Sequence, residues 1–588
     1  MNIILVNLTR FGDLLQSQAA VRALARLDST GRSNRICLVC LSNFASTGTL
    51  LDEVDLTRPL PRGGFMEKLS GSTAPDAGRT DWALALAELW QWRETLWHDF
   101  EPDLVCNLTP TVSARLLARY LAEKADCALS DSGHSDPGAL RGFGLDAFGF
   151  SQNSPWGTFL QSASRKRSQS PFNVVDLFRA VAGSACGLPG DAALRPLATT
   201  ETEAMRQRLL GELAAATDAE TAEACRGFVA FQLGASAEQR RWPLEYFAWL
   251  GRRLWDELRL VPVLLGSGGE SELARRYDEL NQQAVLPGLP EPSRPAEPPY
   301  PAHSSGKAVF PHISLIGRTG LAELAAALKV CSLLVSNDTG TLHLAAGLER
   351  PVLGIFLATA QPWDTGPSLP GSLCLEPDLP CHPCAFNVPC PHNFRCREVL
   401  RPEAVWRLMH NLLTSSEASS PQAQPNDGSR VWLTRRDEHG FLYLESLSGH
   451  EDSPRTLWFM EQRDFLRQFL DRNPLEEFHY QPPETAFQFP PAEREKLAAE
   501  LEKATAQIGL LLEQGALLQR NPLPMLRERF LATVGRIAQA FEQSEYLGVL
   551  NLLWHAEVQE QGGDLLSALR CAAQYHNLCS GLLKRIKI

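Results

Sequence analysis

The sequence predicts an α/β protein, with two doubly wound sheets facing a cleft and a mainly helical C-terminal region after them. Three observations carry this. Short β-branched runs alternate with helical periods through the first half, the pattern of βαβ units and a parallel sheet. The same alternation restarts after about residue 205. From about Pro491 to Ile588 apolar residues recur at three- and four-residue spacing, as in a small helical bundle.

Taken in order, Ile3–Val6, Ile36–Cys40 and Asp103–Asn107 are expected strands, and Leu14–Ala25, Trp82–Phe100 and Val112–Leu121 expected helices. The second set comprises strand Phe228–Leu233, helix Leu244–Leu254, strand Val261–Leu265, helix Glu270–Leu280, strand Ile313–Ile316, helix Leu321–Lys329, strand Leu333–Ser336, helix Thr341–Leu348 and strand Val352–Phe356. Pro287–Pro301 is too rich in proline to continue either period and is expected to be a surface insertion. The Ser/Gln/Pro/Asn/Asp stretch from Thr414 has linker composition. After it, Val431–Leu447 alternates like a hairpin around His439-Gly440, and Glu493–Gln514 and Pro524–Gln543 are helical. The expected division is a first lobe at 1–205, a second lobe at 206–413 with a cysteine-rich knuckle at 374–396, a linker at 414–430, and an accessory hairpin plus helical domain at 431–588.

Composition narrows the function. The 588 residues carry 56 basic and 68 acidic side chains, a formal charge of −12. An acidic chain lacks the Lys/Arg surface that displaces counterions from duplex nucleic acid, so no nucleic-acid partner is expected. Hydrophobic residues make up 44% with a mean hydropathy of −0.17, and no run of about 18 apolar residues is available to span a bilayer. The opening Met1-Asn2-Ile3-Ile4-Leu5-Val6 is too short for a secretory h-region and has no basic residue before it, so a cytoplasmic location is expected. The basic end Lys584-Arg585-Ile586-Lys587 is either a solvated tail or a point of peripheral contact with the inner membrane. Of fourteen cysteines, the scattered Cys37, Cys40, Cys106 and Cys331 are expected core hydrophobes.

Doubly wound sheets bind ligands at the carboxyl ends of their strands, so chemistry is sought in the loops there. Thr9-Arg10-Phe11-Gly12-Asp13 follows the first strand. The glycine lets backbone approach a ligand, and Asp13 either caps the helix or faces the cleft. In Gly234–Pro243, Ser236, Arg240 and Arg241 share a loop, as a diphosphate clamp or a solvated pair. Asp338-Thr339-Gly340 lies at a strand-to-helix turn, where backbone N–H groups and the helix dipole favour phosphate, and His343 follows one turn on.

Together these motifs resemble glycosyltransferase family 9, the heptosyltransferases: Gly12-Asp13 after the first strand, Gly234-Ala235-Ser236 with Arg240-Arg241-Trp242-Pro243, Gly266 with Glu270, Gly317 before Leu321-Ala322-Glu323-Leu324, and Asp338-Thr339-Gly340 with His343. The likeness spans residues 1 to about 412 and leaves everything after about 430 uncovered. It implies a GT-B fold of two Rossmann-like domains, the first for the acceptor and the second for the donor. It also implies an ADP-heptose donor, an inverting transfer needing no cofactor or metal for catalysis, and a hydroxyl acceptor on the lipopolysaccharide core or another surface glycan. Asp13 then matches the general base, and Arg240 stands where a lysine usually neutralises the leaving ADP. Asp338 matches the contact to donor sugar hydroxyls, Thr339 and Gly340 the phosphate turn, Glu270 the ribose contact, and Ser236 a further phosphate contact. Thr9, Arg10, Gly12 and His343 complete the expected site. The chain departs from the family at Asn7, where many relatives carry a basic residue, and at Arg10, where many carry Ser or Ala, so the cation is expected to have moved between these positions.

Cys381, Cys384, Cys390 and Cys396, with Cys374 just before, have spacing that can wrap four thiolates around one ion. The alternatives are reduced thiols or a disulfide formed on oxidation. Some relatives carry similar knuckles, so a structural zinc or iron is expected, with His382 or His392 able to replace one sulfur. Two other functional readings stay open: transfer to a protein acceptor, as in autotransporter heptosyltransferases, and a non-catalytic nucleotide-sugar-binding scaffold.

Overall fold

Strand β1 (Asn2–Val6) is buried along Ile3, Ile4, Leu5 and Val6, and a strand apolar on both faces belongs inside a parallel sheet. It lies between β2 (Arg35–Leu41) and β4 (Leu104–Asn107), parallel to both. The computed structural model describes residues 1–26, 33–60, 82–123, 140–146, 148–163, 167–184, 186–283, 310–414, 428–560 and 564–587. With β3 (Leu56–Leu60), β5 (Leu140–Leu145) and the antiparallel β6 (Ser151–Asn153), the first sheet has the order β3-β2-β1-β4-β5-β6. The sequence reading does not reach β3, β5 or β6. Pro59 weakens the signal of β3 and is tolerated because β3 is an edge strand, while Gly142 and Gly144 interrupt β5.

The second sheet contains β7 (Gly227–Gln232), β8 (Leu260–Leu265), β9 (Ile313–Ser314), β10 (Leu334–Asn337), β11 (Val352–Ile355), β12 (Leu373–Pro377), β13 (Ser429–Arg436) and β14 (Leu442–Ser446), in the order β14-β13-β12-β11-β10-β7-β8-β9. From β12 to β9 neighbours run parallel; β13 pairs antiparallel with β12 and β14. The hairpin placed by the sequence in an accessory unit is thus the edge of the second sheet. Val431, Trp432 and Leu433 are all buried there, on both faces of the strand. The insertion at Pro287–Pro301 and residues 415–427 of the expected linker lie outside the described residues.

The hairpin also ties the lobes together. Asp176, buried on the first-lobe helix Val174–Val181, accepts from the Leu442 N–H at 2.7 Å and pairs with Arg179 at 2.9 Å. Arg436 on β13 donates to Asp191 at 2.8 Å. Helix Pro454–Leu470 then runs back, and its Arg463 donates to the carbonyls of Pro171 and Leu442.

The expected helix Leu14–Ala25 is two helices, Phe11–Gln16 and Gln18–Ala25. Ser17 separates them, its hydroxyl bonding the Leu14 carbonyl at 2.7 Å, a back-bond that bends helices. The C-terminal region consists of helices Pro491–Arg520, Pro524–Gln543, Gly548–Glu560 and Leu565–Lys587. Helix Gly548–Glu560 packs on the first-lobe helix Pro155–Ala163, so one continuous apolar core runs through both lobes and the bundle. The basic end is not a loose tail. It closes the last helix, with Arg585 buried against Glu461 at 2.8 Å and Lys587 paired to Glu502 at 2.6 Å. Among the described residues no helix is long and apolar enough to cross a membrane.

Candidate functional site

The carboxyl ends of the two sheets enclose a cavity of about 1040 Å³ whose lining comes from both lobes. Thr9, Arg10, Gly12 and Asp13 supply one side; Gly340, Asp364, Thr365 and Phe386 supply the other. The loop after β1 is fixed from below. Asn7 is fully buried and its side-chain oxygen accepts the Thr9 N–H at 3.2 Å and the Thr9 hydroxyl, while Thr109 accepts the Leu8 N–H at 2.9 Å. Arg10 is exposed at the cavity edge. The basic side chain of this loop is therefore at Arg10, and Asn7 has become a structural tie.

Asp13 lies in the first turn of helix Phe11–Gln16 and both expected roles coexist there. Its carboxyl accepts the Arg10 N–H, as a helix-capping residue does, and it also lines the cavity. Burial pushes it above the usual aspartate value, and Arg10 and Arg167 oppose that rise.

The lobes touch where glycine permits it. A Cβ at Gly340 would stand 2.5 Å from the Phe11 ring, and one at Gly12 would stand 3.2 Å from the His343 ring and 3.4 Å from the Gly340 Cα. His343 is buried in this contact, and burial lowers its pKa to about 4. It is a neutral packing residue that holds the turn after β10 under the first loop.

In the second lobe, Asn337 organises the loops. Its side chain donates to the carbonyls of Leu233 at 2.9 Å and Gly234 at 3.2 Å, and accepts the Trp242 N–H at 2.9 Å. This lays the Gly234–Pro243 loop beside the turn after β10. Arg240 pairs with Asp338 and donates to the Ser236 hydroxyl at 3.1 Å. Thr339 starts helix Gly340–Gly347 without a side-chain cap, and its hydroxyl lies 3.3 Å from that of Ser336. Glu270 stands one strand further out, accepting from Ser267 N–H at 2.7 Å and hydroxyl at 3.1 Å. Its other oxygen rests so close over Gly234 that a side chain there would displace the Glu270 carboxylate.

The geometry thus gathers Thr9, Arg10, Gly12, Asp13 and Gly340 around the cavity, with Ser236, Arg240, Asp338 and Thr339 beside them, His343 beneath and Glu270 at the outer end. Sequence reasoning missed Arg167, Asp364, Thr365, Asn337 and Phe386. Asn337 adjoins a motif that was seen, and Arg167 ends a short basic run, Arg165-Lys166-Arg167; Asp364 and Thr365 carry no such signal.

The expected zinc or iron site finds no support. All four knuckle cysteines are free, Cys381 exposed and Cys396 buried, and among the described residues no three His, Cys, Asp or Glu side chains are placed to hold an ion. The Cys384 thiol is pushed up to about 11 by burial and then by its three neighbouring cysteines. His382 bonds the buried Glu376 carboxylate at 3.1 Å. What the loop does supply is Phe386 at the cavity wall.

Residues 148–390 match the model of glycosyltransferase family 9 (heptosyltransferase). Over 157 residues the chain is 30% identical to lipopolysaccharide heptosyltransferase 1 of Pseudomonas aeruginosa, covering 27% of this chain and 36% of that protein. Over 108 residues it is 30% identical to lipooligosaccharide heptosyltransferase 2 of Campylobacter jejuni, covering 18% of this chain and 32% of that protein. The chain thus spans about a third of the length of these curated relatives. The structure of ADP-heptose LPS heptosyltransferase II from E. coli superposes with a TM-score of 0.45 at 16% identity, covering 70% of this chain and 98% of that one. From the end of the first lobe through most of the second, residues 148–390, the chain is thus similar to glycosyltransferase family 9, the heptosyltransferases, and its two curated relatives are heptosyltransferases.

Proposed function

We propose that the protein is an inverting glycosyltransferase that moves a heptose from ADP to a hydroxyl of a lipopolysaccharide-core type acceptor, working in the cytoplasm. The observation that carries this reading is the position of Asp13: a half-desolvated carboxylate on the wall of a two-lobed cavity, facing the turn around Gly340. The acceptor hydroxyl enters from the first lobe and the donor lies against the second. As the acceptor oxygen attacks the anomeric carbon, Asp13 takes its proton and the bond from that carbon to the diphosphate oxygen breaks on the opposite face. A hydroxyl is a poor nucleophile at neutral pH, and a placed base contributes about 10²- to 10⁴-fold.

The departing diphosphate gathers negative charge. Arg240, Ser236 and the N–H groups at the start of helix Gly340–Gly347 stand ready around it, and preorganised donors of this kind lower the barrier without reorganising. In this reading Asp338 turns to the donor sugar hydroxyls and Glu270 to the ribose, at the carboxyl ends of neighbouring strands where nucleotides bind in doubly wound sheets.

The test is to incubate purified protein with ADP-heptose and a lipid-core oligosaccharide ending before its first heptose. Product heavier by one heptose, with ADP released in equal amount, supports the reading. ADP release without product, or no reaction with ADP-, GDP- or UDP-sugars, overturns it.

A further inference from the structure

Arg167 belongs to the first lobe but is held by the second. It stands on a short 3₁₀ turn, Arg167–Gln169. Its Nε and Nη2 donate to the two carboxylate oxygens of Asp364, the Nη2 bond being 3.0 Å, and Nη2 also reaches the Thr365 hydroxyl at 2.9 Å. Gln361 donates to the Arg167 backbone carbonyl, Asn173 donates to the Gly366 carbonyl at 3.0 Å, and the Phe386 ring lies 5.7 Å from the guanidinium carbon. A forked guanidinium bound on two points of a carboxylate cannot swing away as a lysine would.

Arg167, Asp364, Thr365 and Asp13 line the same cavity. The charged groups around Asp13 come from several elements. Arg10 lies at the start of its own helix, Arg167 follows helix Pro155–Ala163, Asp338 lies on the turn after β10, and Asp364 stands behind Arg167. His343, packed on Gly12, is neutral. Arg10 is exposed and screened by water, whereas Arg167 is 17% exposed and fixed, so it acts on the carboxylate through a less polar medium.

We propose that Arg167, clamped by Asp364 and Thr365 of the second lobe, is a positioning residue that holds the Asp13 carboxylate in its anionic, base-competent form. This rests on the reading of Asp13 as the base.

The test compares wild type, Arg167→Gln, Arg167→Lys and Asp364→Asn. In transfer assays with ADP-heptose and lipid-core acceptor, the acidic limb of the kcat/KM profile should move up by about one pH unit in Arg167→Gln. It should not move up in Asp364→Asn, which removes a negative charge and leaves the Arg167 cation, and should move up less in Arg167→Lys, which keeps the charge without the fork. A fall in kcat/KM that is uniform across pH, with the limb unmoved, would make Arg167 merely structural and overturn the proposal. Independently of turnover, infrared difference spectra against Asp13→Asn should show the protonated Asp13 carboxyl persisting to higher pH in Arg167→Gln. An unchanged Asp13 titration overturns the proposal even if transfer occurs, and absence of transfer by wild type sinks the functional reading while the infrared result still decides this one. ADP binding by calorimetry serves as the check that each variant is folded.

Discussion

Arg240 and Asp338 form an ion pair that joins the loop after β7 to the turn after β10, with their side chains only 16% and 7% exposed. In the proposed reaction the two must part company. The diphosphate takes over Arg240, and Asp338 is released to accept hydrogen bonds from the sugar. The pair keeps both groups oriented until the donor arrives, and spares each the cost of an uncompensated buried charge.

Arg240→Ala should therefore weaken ADP binding in calorimetry by about ten- to a hundredfold, the worth of a lost charge-assisted hydrogen bond. It should also destabilise the fold, because Asp338 is left alone. In the double variant Arg240→Ala/Asp338→Asn the stability should return while the affinity does not. Recovery of affinity in the double variant would show that Arg240 only neutralises Asp338.

The close approach of the first loop to the turn after β10 depends on Gly340. Gly340→Ala would place a methyl 2.5 Å from the Phe11 ring, well inside van der Waals contact, and should push the first loop away from the phosphate turn. Transfer should fall at least tenfold, on the order expected when a reacting group is misplaced by a fraction of an ångström. Phe11→Ala in the same chain should restore part of it. No recovery would mean that the methyl acts on the phosphate turn itself.

Much of this arrangement was legible in the sequence, for a physical reason. The central strands β1, β7, β8, β10 and β11 are apolar on both faces, and the loops after β1, β7 and β10 bear glycine with charged or hydroxyl residues where a ligand would sit. Strand β12 escaped because Cys374, Glu376 and Pro377 read as the start of the cysteine knuckle, yet the strand is fully buried. Glu376 is tolerated there because distant chain brings Arg455 and Trp432 to it, and His382 reaches back from six residues on. Arg167 escaped for the same reason: its meaning lies in Asp364, 197 residues away, and no local pattern encodes such a pairing.

Neutral His343 makes a pH prediction. Its imidazole has a pKa near 4 in the folded chain, against about 6.5 when unfolded. The unfolded state thus binds a proton that the folded state refuses, so this residue's contribution to stability is complete above pH 6.5 and is lost as pH falls toward 4. Chemical denaturation of His343→Gln should show a flatter stability profile across that window than wild type. Identical slopes would mean that the imidazole is not shielded.

Glu376 makes a second one. Burial alone would raise its carboxyl, but Arg455, His382 and Arg430 hold it well below the usual range. Its contribution is present above the unfolded value of about 4.3 and is lost as pH drops below that. Glu376→Gln should cost about 3 to 5 kcal/mol by leaving buried cations unpaired, seen as a lower thermal midpoint. A change under about 0.5 kcal/mol, typical of a surface position, would contradict it.

The most direct measurement of the central claim is Asp13→Asn, assayed for transfer and for ADP binding in parallel. A base that acts on the acceptor predicts a rate loss of at least about a hundredfold, with ADP affinity within about twofold of wild type. Transfer at the wild-type rate, or affinity falling in step with rate, would contradict it.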